Sequence, residues 1–89
     1  SPESVEALKK WAEQQEAKAD ATGDNAMRAM VATEIAKVYG EAGYLNEALS
    51  EMDSNLMCAE QEGDANLAEW IRSEIAVLEE ELAKKRAFK

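Results

Sequence analysis

The dipeptide Gly-Asp stands at positions 23–24 and again at 63–64, forty residues further along the chain. Glycine ends a helix because it adopts the left-handed conformation without strain, and aspartate caps the helix that follows. After each dipeptide, one apolar pattern recurs at spacings of four, four, three and four residues, which is a single helix face. It pairs Met27 with Leu67, Val31 with Ile71, Ile35 with Ile75, Val38 with Leu78 and Ala42 with Leu82. The sequence therefore predicts two tandem copies of one helical hairpin.

The same signals predict an all-α chain of four antiparallel helices. Ser1 suits the N-cap of the first helix and Pro2 its first position, where the missing N–H of proline costs nothing. The predicted helices cover about residues 2–21, 24–42, 45–62 and 64–86 of a single domain, 1–89. No stretch alternates with a period of two, so no strand is expected.

Composition and charge argue against several classes of function. The net charge is −9, whereas nucleic acids and anionic membranes require a basic surface, and no apolar run is long enough to span a bilayer. There is no histidine, and the isolated glycines form no phosphate-binding loop. We therefore expect no enzyme, no metal and no cofactor. Cys58 is the only cysteine, which leaves no intrachain disulfide and favours the reducing cytoplasm.

Four such helices can bury their apolar stripes in two architectures. Two tandem hairpins can stack as a short open solenoid, or the four helices can close into a bundle. The expected buried face of the first helix comprises Val5, Leu8, Trp11, Ala12, Gln15 and Ala19. This face is rich in alanine, and Gln15 is a poor core residue, so the pattern favours the solenoid over the closed four-helix bundle.

The middle of the chain, about residues 24–62, resembles a tetratricopeptide repeat. That repeat consists of two helices, with a large apolar residue, a small residue and an aromatic in the first and an alanine early in the second. The corresponding residues here are Ile35, Ala36, Tyr39 and Ala48, with Gly43 at the turn and Met52 beyond it. The period of forty is similar to the longer variety of this repeat. The resemblance implies a short solenoid that binds other proteins.

The chain also departs from this pattern. Ala32, Asn55 and Glu60 stand where the family usually has tryptophan, alanine and proline. In the second copy, Arg72 and Glu79 replace Ala32 and Tyr39 of the first. Because charged side chains remain in water, the fourth helix is expected to have a neighbour on one side only, as the terminal helix of a solenoid does.

The resemblance further implies a binding site. The concave groove of the family would fall on six side chains: Met30, Thr33, Lys37, Trp70, Ser73 and Val77. Helix-lined grooves bind peptides or helices through apolar anchors with charged flanks. For Trp70 there is a competing interpretation, core packing against Trp11 or Met52, which is the more common fate of a large aromatic on a short chain.

Three further polar residues have plain interpretations. Glu34 and Glu74 lie at the edges of the two apolar stripes, and we expect their carboxylates in water at the rim rather than as buried anchors for a ligand. Cys58 shares a helix face with Glu47 and Glu51. Neighbouring carboxylates disfavour a thiolate, so we expect an unreactive cysteine at the surface.

These features together favour a non-catalytic adaptor or regulator that binds a partner peptide or helix in its groove. The first alternative is a structural domain that self-associates, because two repeats are fewer than a stable solenoid usually needs and a second copy would complete the core. A further alternative is an acidic decoy that occupies a basic site on another protein.

Overall fold

The computed structural model describes residues 4–87, which form four helices and no strand. Helix α1 spans Val5–Thr22, α2 Asn25–Glu41, α3 Leu45–Gln61 and α4 Ala65–Ala87. The prediction of an all-α chain is confirmed for this part of the sequence, while the predicted helix start at Ser1 and Pro2 lies outside the described residues. No helix within 4–87 is both long enough and apolar enough to cross a membrane.

Polar side chains define the first turns of three helices. Ser4 Oγ accepts a hydrogen bond of 3.1 Å from a backbone N–H of α1. Asp24 Oδ1 accepts two, of 2.9 and 3.3 Å, from the first turn of α2, and Asp64 Oδ1 accepts one of 3.1 Å from α4. These N–H groups have no acceptor within their own helix, so the caps stabilise the helix starts. The two predicted aspartate caps are confirmed.

Glycine occupies the turn after each of the first three helices. Gly23, Gly43 and Gly63 have φ angles of 69°, 92° and 73°, a region where a Cβ atom would be strained. Each turn reverses the chain within a few residues, so consecutive helices pack antiparallel. The predicted glycine stops are confirmed.

The four helices form an open arrangement. Helix α2 packs against α1, α3 and α4, and α4 packs against α3 and α2. In the described chain, no Cα atom of α1 comes within 8 Å of a Cα atom of α4. A closed bundle would bring its first and last helices together, so that alternative is wrong. The molecule is a thin slab with principal extents of 40, 26 and 14 Å.

The core is built largely from small side chains. Ile35, Met52 and Ile71 are its largest fully buried members. Around them lie the buried alanines Ala12, Ala29, Ala36, Ala48, Ala59 and Ala68. Alanine lets helix backbones approach closely, and the buried ring of Tyr39 fills space between them. The residues quoted for the tetratricopeptide resemblance, Ala36, Tyr39 and Ala48, thus lie in the core.

The predicted apolar stripe of α2 is buried at its centre and exposed at both ends, while the ends of the α4 stripe are half-buried. Ile35 and Ile71 are fully buried, whereas Met27 and Ala42 at the ends of the α2 stripe are exposed. The open arrangement provides no further helix to cover these ends.

Candidate binding groove

Two adjoining cavities lie along the surface that α2 and α4 present together. The first has a volume of about 390 Å³ and lies between Trp11 of α1 and Trp70 of α4, along α2 from Met27 to Lys37; we call it the tryptophan cavity. The second, of about 270 Å³, lies further along both helices and is lined by glutamates; we call it the carboxylate cavity. Thr33 and Lys37 line both, so the two cavities form one groove.

Five of the six predicted site residues line this groove. Met30 and Trp70 line the tryptophan cavity, Val77 lines the carboxylate cavity, and Thr33 and Lys37 lie where the two meet. The sixth, Ser73, lines neither cavity. It is exposed on α4, and its hydroxyl donates a hydrogen bond of 3.2 Å to a backbone carbonyl one turn earlier. The structure thus brings five of these positions together, and their binding role stays a prediction.

The large apolar side chains of the groove are exposed to water. Met30 exposes 59% of its surface, Val77 50% and Trp70 41%. The interpretation of Trp70 as a core residue is therefore wrong. Ala68 and Ile71 occupy the buried face of α4, and Trp70 lies to one side of that face.

Thr33 forms part of the floor of the groove. It is buried, and its hydroxyl donates a hydrogen bond of 2.9 Å to the carbonyl oxygen of Ala29 within α2. The same hydroxyl lies 3.7 Å from the sulfur of Met52. Since its donor is used internally, Thr33 contributes shape rather than a free hydrogen bond.

Charged side chains form the rim. Lys37 Nζ lies 4.0 Å from a carboxylate oxygen of Glu34, and both side chains are exposed. Glu74 is half-buried and lines the carboxylate cavity. Neither glutamate is buried, so the expectation that both lie at the rim is confirmed.

The carboxylate cavity carries three glutamates that form no ion pair within the described residues. Glu41, Glu74 and Glu81 all line it. Within residues 4–87, no lysine or arginine nitrogen lies within 4.0 Å of any of the three carboxylates. Helix α2 also ends at Glu41 with no basic residue in its last turn. This end of the groove is therefore negatively charged, and the partial negative charge of the helix end adds to it.

A third cavity, of about 250 Å³, lies on another surface and is lined by residues of α1, α2 and α3 and by Leu67 of α4. It is lined by Glu16 of α1 and Glu51 of α3, whose carboxyl groups share a hydrogen bond. Burial, the charge of Glu16 and this hydrogen bond together raise the pKa of Glu51 to about 7. Burial and the same two carboxylates also raise the pKa of the Tyr39 hydroxyl.

Sequence reasoning missed the Glu16–Glu51 pair, because nothing in the apolar periodicity indicates which polar side chains of α1 reach those of α3. Cys58 lines the same cavity and is exposed, as expected. None of the exposed large apolar side chains of the described chain lines this cavity. It therefore lacks the apolar anchors that distinguish the groove.

Comparison of the chain with protein-family models, curated proteins and solved structures finds no match. The tetratricopeptide resemblance therefore stays a prediction that depends on the residues quoted for it. What the groove can do follows from its own side chains, which are exposed apolar surface beside unpaired carboxylates. Such a surface binds by removing apolar area from water and by attracting positive charge.

Proposed function

We propose that this protein is a non-catalytic interaction module that binds a segment of a partner protein in the groove between α2 and α4. The observation that carries the proposal is the exposure of Met30, Trp70 and Val77 along one concave surface. Single exposed apolar residues are ordinary on protein surfaces, but three that line one concavity are typical of a binding site.

The groove is also suited to binding because its walls are rigid elements. Trp70 extends from a helix whose inner face is fixed by fully buried Ile71, and Met30 extends from α2, which packs against three helices. Binding to side chains on preformed helices requires little ordering of backbone, so more of the contact energy contributes to affinity. Tryptophan is among the residues that contribute most to binding at interfaces.

The wider role that fits this surface is that of an adaptor or regulator of tetratricopeptide type. Its partner is a protein rather than a nucleic acid or a membrane, because the net charge of −9 repels both polyanions. The cytoplasm is the compartment we propose, on the basis of the single unpaired cysteine.

The proposal is tested by selecting displayed random peptides on the wild-type chain and measuring the affinity of the enriched ones. Met30→Glu places a charge in the groove and is expected to weaken binding at least about tenfold, since it removes an apolar anchor. Met57→Glu is the matched control, because Met57 is also 59% exposed on a helix but lies outside the groove. Equal loss in both variants, or in neither, would contradict the proposal.

Self-association is distinguished by the molar mass in solution, measured by light scattering over a dilution series. An interaction module that awaits a partner is a monomer at every concentration. A dimer that Met30→Glu dissociates and Met57→Glu does not would show that the groove binds a second copy instead.

A further inference from the structure

We propose that the groove selects a basic, amphipathic segment, with an apolar side chain in the tryptophan cavity and lysine or arginine side chains against Glu41, Glu74 and Glu81. This inference rests on the proposed function and specifies the chemistry of the partner. It follows from the way in which the two ends of the groove differ.

The internal repeat gives the groove two chemically distinct ends. Met30 and Trp70 are equivalent residues of the two copies, forty positions apart, and so are Glu41 and Glu81. In each copy the apolar residue precedes the glutamate by eleven positions, which is roughly 16 Å along a helix that rises about 1.5 Å per residue. The apolar pair lines one cavity and the glutamate pair lines the other.

The carboxylates of this second end are available to a ligand. The one base that lines the cavity, Lys37, lies 4.0 Å from Glu34, which lines the tryptophan cavity instead. Other ion pairs of the described chain use Arg28, Arg72 and Lys84, none of which lines the groove. With Lys37 as the one base that lines this cavity, the three glutamates leave a net negative charge at this end of the groove, which a cationic ligand would neutralise.

A basic segment fits this surface better than a second copy of the chain. Two copies would each bring a net charge of −9. A two-fold axis along the groove would place the same glutamates opposite one another, and an axis across it would place them against the apolar end of the other copy. Like charges across an interface cost free energy and suppress pairing. A peptide with apolar anchors and lysine or arginine satisfies both ends at once.

The separation of the two ends predicts the spacing in the partner. A helical segment spans 16 Å in about eleven residues and an extended one in about five, at about 3.3 Å per residue. Since a lysine or arginine side chain reaches several ångströms further, the basic residues are expected within about those distances of the apolar anchor.

The test selects random peptides of about 15 residues, long enough for either spacing, on three chains. The first is the wild type, and the second carries Glu41→Gln, Glu74→Gln and Glu81→Gln. The third carries Glu6→Gln, Asp53→Asn and Glu79→Gln, which removes the same total charge from exposed positions outside the groove. Circular dichroism establishes that all three are equally helical.

We expect lysine and arginine to be enriched on the wild type and on the control, and not on the groove variant. A peptide from the wild-type selection should bind the groove variant roughly tenfold more weakly, at two- to threefold for each exposed ion pair lost. Its affinity for the wild type should fall as salt is raised from about 0.05 to about 0.5 M, because salt screens exposed charges.

The two proposals fail differently. Enriched peptides that depend on Met30 but carry no excess of basic residues would overturn this inference and leave the proposed function standing. Basic enrichment that the control variant loses as fully as the groove variant would show attraction by overall charge and would also overturn it. A selection that enriches nothing on any chain would overturn the proposed function and this inference with it.

Discussion

Helices α2 and α4 are two copies of one sequence pattern in different surroundings. Helix α2 has neighbours on three sides, and its Ala32 and Tyr39 expose only 8% and 6% of their surface. Helix α4 packs against α3 and α2, and the equivalent Arg72 and Glu79 are exposed. The prediction that α4 has neighbours on one side only is confirmed. The comparison shows that the apolar period sets the direction of a helix face, while the neighbours decide how much of it is buried.

Not every residue of α4 is more exposed than its equivalent in α2. Ile71 of α4 is fully buried, whereas its counterpart Val31 in α2 is half-buried. Arg72, beside Ile71, forms ion pairs with Glu60 at 2.8 Å and Glu69 at 3.5 Å. The outer helix therefore concentrates its contacts on α3 and exposes both charged side chains such as Arg72 and the apolar side chains of the groove.

Among the variants considered, exchange of the residues that differ between α2 and α4 should change the free energy of unfolding most. Tyr39→Glu removes a buried aromatic and places a carboxylate among other carboxylates, which we expect to cost more than about 4 kcal/mol. That is comparable to the whole stability of a domain of this size, so the chain should lose its helical circular dichroism.

The reverse exchange, Glu79→Tyr, is the control for this prediction. It changes an exposed position, so the free energy of unfolding should stay within about 0.5 kcal/mol of the wild type. A folded Tyr39→Glu variant would show that the two surroundings are equivalent.

The two equivalent isoleucines give a finer comparison. Ile35 exposes 1% of its surface and Ile75 is half-buried. Truncation to alanine leaves a cavity only where surrounding atoms enclose the site, so we expect Ile35→Ala to cost about 3 kcal/mol and Ile75→Ala about 1 kcal/mol. Urea denaturation of each variant measures both values. Similar costs would mean that α4 is covered as fully as α2.

The α1 helix beside α2 has no counterpart beside α4, and its packing places Glu16 against Glu51. The pKa of Glu51 rises from 4.5 to about 7 in the folded chain. The protonated carboxyl therefore adds to the free energy of unfolding, fully below pH 4.5, and this stabilisation is lost as the pH rises through 7. At about 1.36 kcal/mol per unit the shift corresponds to about 3 kcal/mol, which solvent screening of this partly exposed pair reduces to about 1–2 kcal/mol.

Urea denaturation at pH 5 and pH 8 measures this loss. Glu51→Gln should be more stable than the wild type at pH 8 and should lack this part of the pH dependence. Glu47→Gln changes the same charge on the same helix and should retain the wild-type dependence. Identical pH profiles for the wild type and Glu51→Gln would contradict the prediction.

The smallest difference in stability between equivalent variants is expected for the aspartates that cap α2 and α4. Asp24 accepts two backbone hydrogen bonds and Asp64 accepts one. Loss of an N-cap costs about 1 kcal/mol, so Asp24→Ala should destabilise the chain by that amount and Asp64→Ala by somewhat less. Thermal unfolding of the two variants compares them, and Asp24→Asn, which keeps an accepting oxygen, should restore most of the loss.

The sequence predicted the elements of this fold better than its contacts. Glycine and aspartate specify helix ends by local conformation and local hydrogen bonds, so Gly23 and Asp24 could be recognised without knowledge of the rest. The burial of Ala29 and Ala59 depends on how closely two helices approach, which no apolar period reveals. Asn55 is a departure from the repeat pattern, and its side-chain amide donates a hydrogen bond of 3.4 Å to the Ala29 carbonyl.

The position of the groove was predictable from the sequence, but the exposure and the charge of its side chains were only partly so. Five of its residues followed from the tetratricopeptide resemblance, which implies a concave groove at these positions, whereas Ser73, the equivalent of Thr33, lies outside the cavities. The exposure of Trp70 did not follow, since the sequence shows a large aromatic but not the angle at which it leaves α4. That the glutamates of the carboxylate cavity form no ion pair could be recognised only from the distances between side chains.

The open arrangement of the helices also affects how the chain folds and opens. Since α1 and α4 do not meet, most contacts join helices that are consecutive in the chain, and the contact of α2 with α4 is smaller. Little chain entropy is lost in closing such short loops, and helical chains with local contacts fold in microseconds to milliseconds. Unfolding can also begin at one end, because α1 can separate from α2 without any movement of α4. The molecule thus behaves largely as a series of couplings between consecutive helices, with an additional contact of α2 with α4, and separation of α1 need not reach α4.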